Sequence, residues 1–169
     1  LHAMRENLKE TESIIASLPQ IWGIILVFRG FFHKTKEGIL VLTNKNLIFV
    51  PRYLFITPKE KEKHFGEERV RIAKITDYDE DYLEEDLTEN PKSWIIPLDS
   101  IKDVKSVTAR KVDFLRITFT EKGKTKKYEF GITKTVTNYP YRQPLVFKNI
   151  DWSSWIDLIK SEMEKNRHK

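Results

Sequence analysis

Residues 38 to 51 read Gly-Ile-Leu-Val-Leu-Thr-Asn-Lys-Asn-Leu-Ile-Phe-Val-Pro, two short β-forming apolar runs that reverse at Asn44-Lys45. Two such runs around so tight a reversal make an antiparallel hairpin, which commits the chain to a sheet. Pro51 suits the end or edge of its strand, because it has no N–H to give to a ladder. A second hairpin follows downstream. Leu115, Ile117 and Phe119 alternate with Arg116 and Thr118, Lys122-Gly123 turns, and Tyr128, Phe130 and Ile132 alternate with Lys127, Glu129 and Gly131. The period of two pins the register, since a slip of one residue would carry charge into the core.

Further elements extend this frame. Ile21 to His33 is too rich in β-branched and aromatic residues for a helix and reads as a long first strand, with Gly23 and Gly30 marking a bulge or bend. Gly38 opens the second strand, and Leu47 to Pro51 forms the third. Trp94 to Leu98 is the next apolar run, followed by Ile101, Val104 and Val107. Met4 to Leu18 is expected to be a helix, with Met4, Leu8, Ile15 and Leu18 on one face and Pro19 as its stop. Residues 133 to 150 read as a Pro-interrupted connector. After it, Asp151 is the expected N-cap of a terminal helix whose Trp152, Trp155, Ile156, Ile159 and Met163 form one stripe for packing against a sheet. The fold class is α+β, mainly β. The expected organisation is an N-terminal helical extension over 4–20 and one domain over 21–165, a size that buries a core without staples.

Charge is distributed unevenly. The chain of 169 residues carries a net +5. Residues 53 to 92 hold seven Lys or Arg against twelve Asp or Glu, leaving 23 against 13 for the rest, so a body of +10 carries an insertion of −5. Within it, eight of the thirteen residues from Asp77 to Glu89 are acidic and none is basic. This excursion is expected to be a solvated, functional or partly disordered connection. There is no Cys, which excludes disulfides, thiolate catalysis and Cys-ligated zinc. The longest apolar run, Ile21 to Phe28, falls short of the ~20 residues of a membrane span, and no secretory signal is expected. Leu1-His2-Ala3 ahead of Met4 reads as a cloning remnant. Abundant Lys and Glu, with two Gln and no Cys, lean towards a thermophile.

The tract Gly38-Ile-Leu-Val-Leu-Thr-Asn-Lys-Asn-Leu-Ile-Phe, then Ile96-Pro97-Leu98-Asp99-Ser100-Ile101-Lys102-Asp103-Val104, then the Trp-bearing terminal helix resembles the pleckstrin-homology (PH) superfold in its GRAM and prokaryotic PH-like branch. The resemblance covers roughly residues 21 to 163 without much of 53–92. It implies a curved antiparallel sheet or partly open barrel of about seven strands, capped at one end by the C-terminal helix. Its implied use is binding of membrane lipids or protein segments, rarely catalysis, and fold analogy alone does not assign that use. Phosphoinositide-binding members place Lys, then Lys or Arg, a spacer and Arg around the first hairpin. Here Arg29, Lys34, Lys36 and Lys45 are present, but no Lys-x-Arg follows in the second strand.

Candidate contact residues follow from these patterns. Phe31 and Phe32 with Lys34 and Lys36 suit a loop that meets an anionic membrane, or else a strand end with solubilising lysines. Lys122, Lys124, Lys126 and Lys127 form a second basic cluster, readable also as a hairpin tip kept from edge pairing. Asp77, Asp79 and Asp81 have calcium-loop spacing, but Tyr82 stands where Gly is needed and Thr88 where the bidentate Glu is needed, so no metal site is expected. With Glu84, Glu85 and Asp86 they read as an acidic docking or autoinhibitory segment drawn towards the basic tips. The four His residues sit apart and no catalytic motif occurs, so no enzyme and no cofactor is expected. The expected function is a cytoplasmic, peripherally membrane-associated binding module for a protein partner or an anionic lipid surface. The alternative is nucleic-acid binding through the basic body, with Tyr139, Tyr141 and Arg142 for stacking.

Overall fold

The computed structural model describes residues 7–8, 11–27 and 32–167, with backbone alone at 26–27 and 32–34. Nine strands and three α-helices occur among them: β1 (Ile14–Val27), β2 (Phe32–Thr43), β3 (Asn46–Val50), α1 (Pro58–Phe65), α2 (Glu80–Glu89), β4 (Trp94–Pro97), β5 (Ile101–Ala109), β6 (Val112–Glu121), β7 (Lys124–Gly131), β8 (Thr133–Thr137), β9 (Gln143–Phe147) and α3 (Ser153–Arg167). Seven strands form one antiparallel sheet in the order β4-β3-β2-β1-β7-β6-β5. Ile96 of β4 and Val104 of β5, on its two edges, belong to the same core cluster as Leu18 and Phe130. The sheet therefore curves around one core without closing into a barrel.

Both hairpins form where alternation and turn residues placed them. In the first, Leu42 pairs with Leu47 and Ile39 with Val50, and the Thr43 hydroxyl accepts the Lys45 and Asn46 N–H groups at 3.1 and 2.9 Å. Gly38 is there because a Cβ would lie 2.1 Å from the Val50 carbonyl oxygen. In the second, Lys122 and Gly123 have φ of 52° and 77°, the paired positive values of a tight two-residue hairpin turn. α3 seals the core with Trp155 and Ile159, both 0% exposed, and Asp151 Oδ1 accepts the Ser153 N–H at 2.9 Å ahead of its first turn. Trp152 precedes the helix and donates its indole N–H to the Asp113 carbonyl at 3.1 Å.

Several sequence expectations are corrected. From Ile14 onward the expected N-terminal helix is strand β1, while residues 4–6 and 9–10 lie outside the described ones. Leu18 is buried in the core, and Pro19 sits at a bulge between Leu18 and Ile21 where Gln20 has φ 55°, a place that needs no ladder donor. The strand expected over 21–33 ends at Val27, and β2 begins at Phe32 rather than Gly38, with Val27 paired to Phe32. The connector over 133–150 contains the small β8–β9 sheet.

The largest correction concerns 53–92. Ile39, Val41, Ile48 and Val50 project from the face of β2 and β3 opposite Leu40, Leu42, Leu47 and Phe49, and both sets are buried. Such two-sided strands read as continuous apolar runs rather than alternating ones. The cover on the outer side is the charged insertion itself. Ile75, Tyr78, Leu83 and Leu87 pack there with Leu8 and Ile14 in a second core cluster. Backbone bonds from Ser17 N to Ala73 O (2.9 Å) and from Val70 N to Asp151 O (3.1 Å) tie the insertion to β1 and to the start of α3.

Candidate functional site

Ile25 pairs with Lys34 on one side and with Tyr128 on the other. Neighbouring strands lie ~4.8 Å apart, so Lys34 and Tyr128 sit about 10 Å from each other across β1. Antiparallel continuation brings the β1–β2 tip and the Lys122-Gly123 tip to the same end of the sheet. Lys122, Lys124 and Lys127 are exposed there and Lys126 is half-buried. Lys124 and Lys126 share the face of Tyr128, and Lys127 takes the other. Lys126 Nζ lies 2.6 Å from Glu121 Oε1, a bond that raises the lysine pKa and offsets one positive charge of the tip. Lys36 pairs with Gly23 and is half-buried. Phe31 lies outside the described residues, and for Phe32 and Lys34 only the backbone is described.

The acidic segment is not a solvated loop. Asp79 caps α2 by accepting the Tyr82 N–H at 2.9 Å, after Asp77 turns the chain with φ 62°. Leu83 and Leu87, four residues apart, put the helix on the sheet. Asp86 is buried and accepts Arg52 Nε at 2.8 Å and the Tyr78 hydroxyl at 2.6 Å. Glu80 accepts the Ile14 N–H at 2.9 Å, and Glu84 accepts those of Asn7 and Leu8 at 2.6 and 3.3 Å. These bonds fix the segment to β1, Arg52 and the residues ahead of β1. Asp77, Asp79, Asp81 and Glu85 remain exposed.

A groove of about 560 Å³ opens on the outer face between the end of α2 and the β8–β9 hairpin, with Trp22, Lys36, Arg52, Tyr53, Lys92 and Arg142 among its lining. Arg142 bonds Glu37 at 2.6 and 3.3 Å, and its guanidinium lies 5.1 Å from the Tyr53 ring centre. Arg52 gives Nε to Asp86 and Nη1 to the Tyr53 carbonyl at 3.3 Å, while its buried Nη2 and the buried Trp22 Nε1 have no acceptor. Sequence reading did not single out Trp22, Arg52 or Lys92. What links them is the register, which sets Trp22 opposite the charged Glu37 and is visible only in three dimensions.

No family model matches this chain, and no curated protein matches it. A solved structure described as the Vps36 N-terminal PH domain superposes with a TM-score of 0.51 at 11% identity, covering 96% of this chain and 86% of that one. Identity that low carries the fold and nothing finer. With the strand order, open curvature and sealing terminal helix already built from the residues, this superposition shows that the chain has a PH-like fold.

Proposed function

We propose that this PH-like domain is a non-enzymatic binding module that docks on an anionic membrane surface through the basic end of its sheet. The observation that supports this reading is the register that carries two lysine-bearing tips to one end on neighbouring strands. Each Lys near an anionic leaflet contributes about 1 kcal/mol, so Lys34, Lys36, Lys122, Lys124, Lys126 and Lys127 act together where one would not hold. Phe31 and Phe32, adjacent to Lys34 in sequence, supply the apolar component that stable interfacial binding needs. The exposed acids of α2 are repelled by the same surface and select the orientation of docking. The attachment proposed is peripheral; among the described residues no helix is long and apolar enough to cross a membrane.

Co-sedimentation with vesicles of phosphatidylcholine alone, or mixed with phosphatidylserine, tests the reading. Binding is expected only to the mixed vesicles, weakening with salt, and lost on Lys122→Glu with Lys124→Glu. Binding to single-stranded oligonucleotides with a steep salt slope, and none to vesicles, would replace it with nucleic-acid recognition. Binding to neither would leave a protein partner as the ligand class.

A further inference from the structure

We propose that the β8–β9 hairpin is a strap, hinged at Ile132 and Lys148 and latched by Arg142 to Glu37, which opens as a unit and controls access to Trp22.

Gly131, Trp22 and Glu37 form one cross-strand row, paired in register on β7, β1 and β2. Paired positions share a face, so all three look to the outer side of the sheet. The hairpin stands over both ends of this row. A Cβ on Gly131 would lie 2.9 Å from a ring carbon of Phe147, and Arg142 bonds Glu37 at 2.6 and 3.3 Å. The chain between Arg142 and Phe147 is β9, which therefore crosses the row above Trp22. Trp22 is 2% exposed beneath it.

Little besides its two ends holds the hairpin down. Not one residue from 133 to 149 is buried, and none belongs to either core cluster. Among the described residues β8 and β9 pair with each other and with no strand of the main sheet. A two-stranded ribbon is marginal without further packing. At the base, the Lys148 N–H reaches the Ile132 carbonyl at 2.7 Å and the Phe147 ring meets that of Phe114 at 5.0 Å. At the far end stands the Arg142–Glu37 pair, with the guanidinium against Tyr53. Few buried contacts, gathered at two points, mark a segment that opens without global unfolding.

The latch also lies between two cavities. One is the groove of about 560 Å³, and the other, of about 160 Å³, is lined by Gln20, Phe65 and Val136. Glu37, Tyr53 and Arg142 line both. Release of Arg142 joins the two into one site with Trp22 on its floor.

Hydrogen exchange of the full chain, followed group by group in nitrogen-15 spectra, tests the strap. The protected amides of β8 and β9 should exchange at least tenfold faster than those of β1 and β2. The Trp22 indole N–H, which has no acceptor, should exchange with the hairpin, whereas the Trp155 indole, bonded to the Arg71 carbonyl, should exchange with the core. Arg142→Ala should speed the hairpin amides and the Trp22 indole by one common factor, about tenfold, because the Glu37 side chain is 9% exposed and loses its partner. Glu37→Gln leaves an exposed arginine to water and should speed both about threefold. Ile159→Val weakens the core beneath α3, whose contacts persist when the strap opens. It should speed the Trp155 indole and the β1 and β2 amides about fivefold and leave the hairpin and Trp22 unchanged. The proposal is overturned if the hairpin or the Trp22 indole exchanges at the core rate, if Ile159→Val speeds them equally with the core, or if neither latch variant speeds them.

Discussion

Buried at 3% exposure, Asp86 satisfies both Arg52 and the Tyr78 hydroxyl, whose pKa is pushed up by burial and then by this carboxylate. Removing the acid strands a largely buried guanidinium and a buried phenol together. Asp86→Ala is expected to cost about 3 kcal/mol in urea denaturation, and Tyr78→Phe, which removes only one hydrogen bond, about 1 kcal/mol. Equal costs would show that the Arg52 pair contributes little. His64, on α1, is fully buried, with Nε2 2.8 Å from Glu60 Oε2 and Nδ1 without a partner. Burial lowers its pKa and outweighs the pull of Glu60, because a proton on Nδ1 would have no acceptor. Partial burial of Glu60 works against ionisation, yet bonds from the Thr76 hydroxyl, His64 and the Thr76 N–H bring its pKa to about 2. Both groups stabilise the fold in their higher-pH forms. The His64 contribution is complete above its ordinary value of 6.5 and is lost as pH falls below it; that of Glu60 is complete above 4.5 and is lost as pH falls towards about 2. Denaturation midpoints should therefore decline in two stages from pH 7 to pH 3, and Glu60→Gln should flatten the lower stage.

Among elements, α3 has the plainest energetic role. Trp155 is 0% exposed and donates its indole N–H to the Arg71 carbonyl at 3.1 Å, joining helix, sheet and insertion. Trp155→Ala should cost about 3–5 kcal/mol, read as a lower denaturation midpoint with an unchanged slope. This helix and both hairpins were legible in the sequence because their signals are local: a stripe at helical spacing, strict alternation, a two-residue turn. The start of β1 was not. Ile14, Ala16 and Leu18 have partners on both sides of the sheet, so their pattern is neither alternating nor distinct from an amphipathic helix. α2 was hidden for a different reason. The eight acids from Asp77 to Glu89 mask Leu83 and Leu87, yet those two residues and the Asp79 cap suffice to seat a helix once an apolar sheet face is available. The two orphaned donors of the groove could not be read at all, since missing partners are visible only in three dimensions.

At the scale of the whole molecule, two core clusters share β2 and β3 and so cannot open independently. Loss of the insertion would bare Ile39, Val41, Ile48 and Val50, and loss of α3 would open the core cluster that holds Leu40, Leu42, Leu47 and Phe49. Unfolding should be a single transition, with tryptophan fluorescence and far-UV circular dichroism superimposing through urea. An earlier fluorescence change would place the insertion in a separate cooperative unit. The two-sided burial also bears on how such a chain can drift. Every residue from Ile39 to Leu42 and from Leu47 to Val50 is 0–1% exposed. In a sheet wet on one side, alternate positions exchange freely among polar residues. Here each substitution in either strand must be matched from above or below, so the central strands and the insertion are bound to change together, as a lock changes only with its key.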